Sequence, residues 1–189
     1  MIINAIKQSI EVKQKLLDDG ALLNIIQKSA DAIISTFQHD GKVLFCGNGG
    51  SAADAQHLAA EFSGRFYYDR PPLFAEALHV NTSYLTAVAN DYSYDEVYAR
   101  LVQAKGRKGD VLVALSTSGN SPNILKALHQ ARQQQMITIS LTGIGGGKTN
   151  EFSDFLLAVP SSDTPRIQEA HILIGHIICE MVEKAIFPK

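Results

Sequence analysis

Short apolar runs alternate with helical patterns along most of this chain, and this alternation restricts its fold more than any other feature. From Gly41 onward, most apolar runs are followed by a segment with apolar residues at helical spacing, and the run over residues 136–141 is followed by a loop. Strands that alternate with helices build a parallel sheet with helices on both faces. The sequence therefore predicts an α/β three-layer sandwich with a central parallel sheet. The predicted strands are residues 42–46, 77–80, 110–115, 136–141 and 155–159, of which 77–80 is the weakest.

The first 40 residues predict two helices. Ile3, Ile6, Ile10 and Leu17 fall near one stripe of the first helix, and residues 18–20 (DDG) separate it from the second. An amphipathic helix at a chain end can contact another subunit or pack on its own core, and the sequence leaves both uses open. No polar linker divides the chain, so we expect one domain over residues 1–189.

The charge balance and the cysteine count argue against several classes of protein. The 189 residues carry 17 basic and 19 acidic side chains, so the basic excess typical of nucleic-acid binding is missing. Two cysteines cannot form a disulfide scaffold, and they favour a reducing compartment. No apolar run approaches the roughly 18 residues of a membrane span, and the N-terminus does not resemble a signal peptide. We expect a soluble, cytoplasmic protein with neither nucleic acid nor membrane as a partner.

The loop over residues 116–121 is a candidate phosphate site. It contains four hydroxyl side chains and no charge, and Pro122 suits the first position of the helix that follows. The first turn of a helix leaves backbone N–H groups without partners, and its dipole favours negative charge. Hydroxyl and N–H groups there can hold a phosphate. The same residue types dominate ordinary helix caps, and that simpler interpretation stays open.

Two other glycine-rich segments resemble nucleotide sites without meeting their requirements. Residues 47–52 fit the G-x-G-x-x-A dinucleotide pattern, but the acidic candidate Asp69 lies in a predicted loop and not at the end of a strand. Residues 142–149 resemble an ATP-binding P-loop, yet the position of its first glycine holds Thr142. We therefore give the dinucleotide pattern little weight and reject the ATP site.

Histidine and carboxylate side chains form a second candidate site. His57 and Glu61 are four residues apart on a predicted helix, so both can reach one point and hold zinc or act as an acid–base pair. An isolated pair at this spacing more often belongs to a solvated helix face. On the C-terminal helix, predicted over residues 166–186, three polar side chains lie within an apolar stripe: Gln168, His171 and His176. Helical spacing alone places His171, and not His176, on the face of Gln168.

Several motifs in a fixed order together resemble one known family. They are residues 47–51 (GNGGS), Gln56 and His57 with Glu61, residues 89–91 (AND), residues 116–121 (STSGNS) and residues 166–169 (RIQE). The chain resembles the phosphoheptose isomerase branch of the sugar isomerase (SIS) domain family from about Gly41 to its C-terminus, and the N-terminal helical pair also fits. The resemblance implies a flavodoxin-like α/β sandwich and a homotetramer with sites between subunits. Residues 1–40 are then expected to serve oligomerisation.

The resemblance also implies an activity and a set of residues. The activity converts a small-molecule sugar phosphate, sedoheptulose 7-phosphate, to D-glycero-D-manno-heptose 7-phosphate through an enediol, the first step of nucleotide-activated heptose synthesis for lipopolysaccharide or another surface polysaccharide. By motif position, the substrate-binding residues would be Asn48, Gly49, Gly50, Ser51, Glu61, Asn90, Asp91, Ser116, Thr117, Ser118, Ser121 and Gln168. One zinc ion per subunit would be held by His57, Glu61, Gln168 and His176. Glu61 would be the catalytic base and His176 the acid, so the resemblance selects the histidine that helical spacing did not.

A binding scaffold from the same family is the alternative. DiaA-like proteins share these loops and the RIQE motif but serve as tetrameric scaffolds for the replication initiator DnaA, and their position matching His176 looks like Asn. This chain keeps His176 together with His57 and Glu61, which favours an enzyme. A sugar-phosphate-sensing regulator is less favoured, because no DNA-binding segment accompanies the domain. One departure from the pattern is Pro165, where some isomerases carry Asp.

Overall fold

The computed structural model describes all 189 residues, and its centre is a five-stranded parallel sheet. The strands are β1 (Val43–Gly47), β2 (Ala75–Ala77), β3 (Val111–Ser116), β4 (Ile137–Thr142) and β5 (Phe155–Ala158). They lie in the order β2-β1-β3-β4-β5, and every neighbouring pair is parallel. The predicted parallel α/β sandwich is therefore confirmed.

Strands β1 and β3 lie inside the sheet, and every residue in them is buried. A strand that is buried on both faces reads as a continuous apolar run, so the sequence located these two strands to within one residue. The prediction of a strand over residues 77–80 was wrong in position, because β2 ends at Ala77. The Leu78 N–H still donates to the Phe45 carbonyl at 2.9 Å, and Asn81 then caps the next helix through the Tyr84 N–H.

Seven α-helices surround the sheet. They are α1 (Ile2–Asp18), α2 (Gly20–Gln38), α3 (Gly50–Ser63), α4 (Thr82–Asp91), α5 (Val97–Lys105), α6 (Pro122–Gln133) and α7 (Thr164–Ile186). The predicted break between the first two helices lies at Asp19, whose carboxylate accepts from the Leu22 N–H at 2.9 Å and so caps α2. Helix α5 was not predicted, and a 3₁₀ turn over Tyr94–Glu96 precedes it.

The helices enclose two separate apolar cores, one on each face of the sheet. Successive residues of a strand point to opposite faces, so Val43 and Phe45 of β1 pack with α2, α3 and α7. Leu44 and Cys46 pack with α4, α5 and α6 on the other face. The other free cysteine, Cys179, lies in the first core. Burial raises the pKa of both thiols, which is typical of unreactive structural cysteines.

Helix α1 is buried along one face and exposed along the other. Val12 and Leu16 belong to the core that includes α7. Ile6, Ile10 and Leu17 are 55%, 59% and 66% exposed. One face of α1 therefore packs on the core of its own chain, and its second apolar face is exposed on the surface of the chain. None of the helices combines the length and the apolar composition that a membrane span needs.

The strand order reverses between β1 and β3, and this point positions the candidate site. Strand β1 lies between β2, which follows it in the chain, and β3, which is reached later. Connections that diverge from two neighbouring parallel strands leave a crevice at their carboxyl ends, where open α/β sheets bind ligands. The loops before α3 and α6 both begin at this edge. The GNGGS and STSGNS motifs therefore lie side by side.

Candidate active site

A pocket of about 190 Å³ lies at this carboxyl edge. The pocket is lined by residues at the C-terminal ends of β1 and β3, at the N-terminal ends of α3 and α7, and directly before α6. The lining residues are Asn48, Ser51, Leu115, Ser116, Thr117, Ser121, Thr164 and Gln168. Six of the predicted substrate-binding residues share this pocket. Its polar groups are hydroxyls and amides, and no charged side chain lines it.

The loop after β3 closes one side of the pocket. Ser116 is buried, and its Oγ lies 3.2 Å from Ser121 Oγ across the loop. Gly119 has φ +64°, and a Cβ there would overlap the backbone carbonyl of Gly146, so the turn requires glycine. Three hydroxyl residues of this loop, Ser116, Thr117 and Ser121, thus line the pocket at the N-terminus of α6.

The loop after β1 is fastened to α6 by a pair of amides. The side chains of Asn48 and Asn123 bond reciprocally, since each Nδ2 donates to the other's Oδ1, at 2.9 and 2.8 Å. The Tyr94 hydroxyl also reaches Asn48 Oδ1 at 3.3 Å, and the Tyr98 hydroxyl donates to the Gly47 carbonyl. Sequence reasoning missed Asn123, Tyr94 and Tyr98. A polar residue two positions after the hydroxyl loop was a signal for Asn123, but its partner lies 75 residues away.

Two successive glycines begin α3, and each leaves room for a different reason. Gly49 adopts φ +57°, a backbone conformation that residues other than glycine rarely take. A Cβ on Gly50 would lie 2.5 Å from Gln168 Nε2. The Gln168 amide therefore packs directly on the N-terminal backbone of α3, which joins α7 to the pocket.

Three side chains from α3 and α7 converge further along these two helices. His57 Nε2 lies 2.9 Å from His176 Nε2 and 3.2 Å from Glu61 Oε1. All three ligand atoms lie within 4.8 Å of one another. A Cβ on Gly175 would lie 2.5 Å from Leu58 Cδ2, so glycine permits the close approach of α7 to α3 at this point. The fold thus adds a second imidazole to the pair that helical spacing predicted.

This arrangement can hold a metal ion. The facing nitrogens of His57 and His176 would repel through their lone pairs at 2.9 Å unless a proton or a cation lay between them. Two imidazoles and a carboxylate are a donor set that transition metals accept. Gln168 lies eight residues before His176 on α7, about 12 Å along the helix axis, so within one chain it faces the pocket and not the cluster.

Two further titratable groups lie near these helices. His171, which helical spacing favoured, is fully buried, and its Nε2 lies 3.1 Å from the Thr142 carbonyl oxygen. Burial lowers the pKa of His171 to about 4. Asp54, one turn before His57, has a buried Oδ2 without a hydrogen-bond partner. Burial raises the pKa of this carboxyl, and the charges of His57 and His176 partly offset the increase.

Six predicted substrate residues do not line the pocket. Gly49 and Gly50 lie at the start of α3, Glu61 lies in the cluster with His57 and His176, and the other three lie outside both sites. Asn90 and Asp91 are exposed at the end of α4, where Asn90 Nδ2 donates to Asp91 Oδ1 at 3.0 Å. Ser118 is also exposed, and its Oγ accepts from the Asn120 N–H at 3.2 Å. A single chain therefore does not bring these three side chains to the other predicted contacts.

The two nucleotide-like motifs lack the elements that such sites need. Asp69, the acidic candidate of the dinucleotide pattern, lies in the loop between α3 and β2. The segment after the P-loop-like motif is a 3₁₀ turn over Gly147–Phe152 and not an α-helix with a phosphate-binding N-terminus. The geometry therefore gives neither motif the features of a nucleotide-binding site.

Comparison with known proteins decides the family. The profile of the SIS domain matches residues 7–143. Phosphoheptose isomerase 2 of Campylobacter jejuni subsp. jejuni serotype O:2 is 54% identical over 181 residues, which are 96% of this chain and 90% of that relative. The chain belongs to the phosphoheptose isomerases of the SIS domain family. This confirms the resemblance that its motifs predicted.

Two further relatives agree with this family. A phosphoheptose isomerase of Burkholderia pseudomallei (strain 1710b) is 53% identical over 188 residues, which are 100% of this chain and 95% of that relative. The solved structure of the phosphoheptose isomerase GmhA from Neisseria gonorrhoeae has 44% sequence identity and a TM-score of 0.91, with 97% of each chain covered. The one departure noted in the family pattern, Pro165, lies in the first turn of α7, where proline is well tolerated.

Proposed function

We propose that this chain isomerises sedoheptulose 7-phosphate to D-glycero-D-manno-heptose 7-phosphate. The observation that carries the proposal is the convergence of His57, Glu61 and His176 on the same two helices that line a hydroxyl-rich pocket. An aldose–ketose isomerase needs an acid–base pair at the carbonyl end of its substrate and an anion site at the phosphate end. The names of relatives that are 54% and 53% identical over nearly the whole chain support this reaction.

The phosphate would bind in the pocket between β1 and β3. Ser116, Thr117 and Ser121 supply hydroxyls, and the N-termini of α3 and α6 supply backbone N–H groups. No lysine or arginine lines the pocket, so dipoles and hydrogen bonds would hold the anion. Ser118, Asn90 and Asp91 are exposed, and we assign them contacts that form when substrate and a neighbouring subunit are present.

Proton transfer would be the task of Glu61 and His176. Glu61 removes a proton from C1 of the ketose, an enediol forms, and the proton returns to C2, so the carbonyl moves from C2 to C1 without a net change in atoms. His176 transfers the accompanying proton between the two oxygens. His57 holds the other two groups in place, since its Nε2 contacts both of them.

The same cluster fits one zinc ion per subunit. Imidazole nitrogen and carboxylate oxygen are zinc ligands, and a cation could take the place of the proton between the two Nε2 atoms, which lie 2.9 Å apart. Zinc, when bound, supplies a positive charge that polarises a carbonyl and stabilises an enediolate. A carboxylate that ligates a metal is a weaker base. Glu61 would therefore act as the base only where it does not ligate the metal, and a metal that it did ligate would have a structural role.

The active site would be completed between the subunits of a homotetramer. Gln168 and His176 are about 12 Å apart along α7, so a Gln168 ligand must come from a neighbouring copy. The exposed apolar face of α1, within the N-terminal helical pair of residues 1–40, offers a surface for such contacts. We place the enzyme in the cytoplasm, at the start of nucleotide-activated heptose synthesis.

The direct test is incubation of the protein with sedoheptulose 7-phosphate, with and without added zinc, while aldose formation is followed. We expect turnover that a chelator abolishes and zinc restores if the metal is catalytic. Absence of turnover by a folded, zinc-loaded tetramer would refute the proposal and favour the scaffold that binds the replication initiator DnaA.

The roles of single residues are tested by Glu61→Gln and His176→Asn. Loss of a general acid or base lowers kcat by about 100-fold or more, so each variant should lose at least that factor. His129→Asn is the matched control, because His129 is an exposed histidine of α6 that contacts Phe152. Near-wild-type turnover by both site variants would show that the roles are assigned wrongly, even if the activity is real.

A further inference from the structure

A fully buried ion pair lies between the loop after α3 and the C-terminal half of α7. Arg70 Nε is 3.1 Å from Glu183 Oε1, and the two side chains are 2% and 1% exposed. The carboxylate also accepts from the backbone N–H groups of Phe66 at 2.9 Å and Tyr67 at 2.8 Å. Burial alone would raise the pKa of Glu183, but these N–H groups and Arg70 outweigh it and hold the pKa below its usual value. The carboxylate is therefore charged and fully bonded.

The other side of the Arg70 guanidinium faces the end of α3. Nη2 donates to the Glu61 carbonyl oxygen and Nη1 to the Phe62 carbonyl oxygen, both at 2.7 Å. Nη1 also reaches the carbonyl oxygens of Gly64 at 3.2 Å and Pro71 at 3.0 Å. The last carbonyl groups of a helix have no partner within the helix, so one buried guanidinium supplies partners for the final turn of α3. That turn carries Glu61.

The same pair also reaches His176, by a second route. Glu183 fixes the backbone of Phe66, whose ring packs against the His176 imidazole with ring centroids 5.6 Å apart. Glu183 itself lies two turns after His176 on α7. Arg70 and Glu183 therefore contact the backbone of one cluster residue and the packing partner of another.

We propose that the Arg70–Glu183 pair is a positioning pair that sets the distance between Glu61 and His176. The proposal rests on the proposed function, in which these two side chains act on the substrate. A buried ion pair is a poor device for stability alone, because apolar side chains of similar volume often serve as well. The planar guanidinium is different, since it can bond a carboxylate on one edge and several carbonyls on the other in fixed directions.

A second ion pair, whose carboxylate is also buried, provides a control. Asp110 lies just before β3, at the amino edge of the sheet and so opposite the pocket, and its carboxylate bonds Lys42 Nζ at 2.6 Å. It also accepts from the Lys42 N–H at 3.0 Å and the Arg107 N–H at 2.7 Å. Asp110→Asn thus removes the same kind of charge and the same kind of backbone contact as Glu183→Gln.

The first experiment compares Arg70→Lys, Glu183→Gln and Asp110→Asn in the zinc-loaded enzyme. Displacing reacting groups by about 1 Å can cost 100-fold in rate, so we expect kcat to fall by at least about tenfold in the first two variants, with KM changed by less than about threefold. Asp110→Asn should lose about as much Tm as the first two variants but keep kcat within about twofold of wild type. The reason is that the Asp110 carboxylate contacts neither α3 nor α7. Equal kcat losses in all three variants at matched Tm would overturn the proposal.

The second experiment needs no turnover and so separates this proposal from the proposed function. Co²⁺ alone is titrated into each apo protein, and its visible absorption reports the geometry of the ligands. Partners that orient metal ligands change affinity by about 10–100-fold, so we expect weaker Co²⁺ binding and an altered band in Arg70→Lys and Glu183→Gln. An unchanged spectrum and affinity in both variants would refute positioning, whereas an inactive wild type would refute only the isomerase.

A third variant removes one route without touching the ion pair. Phe66→Leu keeps the backbone N–H that Glu183 accepts and deletes the ring that packs on His176. We expect a smaller kcat loss than in Arg70→Lys and a change in the Co²⁺ band. If Phe66→Leu, Arg70→Lys and Glu183→Gln all leave the band and kcat as in wild type, the pair is only structural.

Discussion

At the scale of single residues, α7 shows how surroundings decide the role of a side chain. His171 and His176 lie on one helix within an apolar stripe, yet the first is enclosed by the core and the second meets His57 on α3. Helical spacing measures only the angle between side chains around the axis. It does not reveal which element covers each face, so it favoured His171 for the site, whereas the family resemblance selected His176.

The buried histidine makes stability depend on pH. The pKa of His171 falls from 6.5 in the unfolded chain to about 4 in the folded chain, because burial disfavours the charged form. Below pH 6.5 the unfolded state binds a proton that the folded state does not. The stabilisation that is fully present above that pH is lost as the pH falls through about 4, by roughly 3 kcal/mol in total. Chemical denaturation at several pH values measures this slope.

A variant isolates this contribution from that of the carboxylates. His171→Gln retains a donor for the Thr142 carbonyl but cannot titrate, so its free energy of unfolding should vary less between pH 6.5 and 4. His129→Gln, at an exposed position, should keep the wild-type slope. Identical slopes for wild type and His171→Gln would contradict the assignment.

At the scale of elements, the pocket is made by two similar strand–loop–helix units. In each, a buried strand ends at the carboxyl edge, a loop of small residues follows, and a helix begins with its N–H groups toward the crevice. In the proposed function, the hydroxyls of the second loop contribute to the binding of the phosphate. A hydrogen bond of this kind contributes about 1 kcal/mol net.

Ser116→Ala tests this contribution. Loss of one hydroxyl to phosphate should raise KM by about fivefold with little change in kcat, because the phosphate lies away from the reacting carbons. Ser140→Ala is the control, since Ser140 is equally buried and its Oγ accepts a hydrogen bond from Ser153 at 2.7 Å outside the pocket. A KM in Ser116→Ala as low as in Ser140→Ala would show that Ser116 does not hold the phosphate.

The elements and motifs were predictable where the signal was local. The buried runs that became β1 and β3, and the break between α1 and α2 at Asp19, follow from residue types over a few positions. Helix α5 was not predicted because it has only nine residues and begins after a 3₁₀ turn. The hydrogen bonds between Asn48 and Asn123 could not be predicted from the sequence, for a different reason. They depend on the lateral order of β1 and β3, which no local pattern contains.

At the scale of the whole molecule, one surface of the chain is not explained by its own fold. Ile2, Ile3, Ile6, Ile10 and Leu17 are all at least half exposed along one side of α1. Contiguous apolar surface on a folded protein indicates contact with another protein. Gln168 and His176 are also about 12 Å apart along α7. If both residues bind one metal ion, as proposed, they must come from two different chains.

Ile10→Glu therefore tests the assembly and the site together. Any interface that covers the exposed apolar stripe would bury the new carboxylate without a partner. We therefore expect Ile10→Glu to dissociate into smaller species, which size exclusion with light scattering would detect. Gln8→Glu is the control, because Gln8 lies about opposite the stripe on α1, exposed to solvent. It should leave the proposed tetramer and its turnover unchanged.

The activity of the dissociated species decides whether the site is shared. If each site takes groups from two subunits, the specific activity of Ile10→Glu should be low at nanomolar protein and rise with protein concentration, while far-UV circular dichroism stays that of wild type. The single chain already brings His57, Glu61 and His176 together, so folding alone would preserve activity if no neighbour were needed. Full turnover by a monomeric Ile10→Glu would thus place the complete site within one chain and leave Gln168 as a pocket residue only.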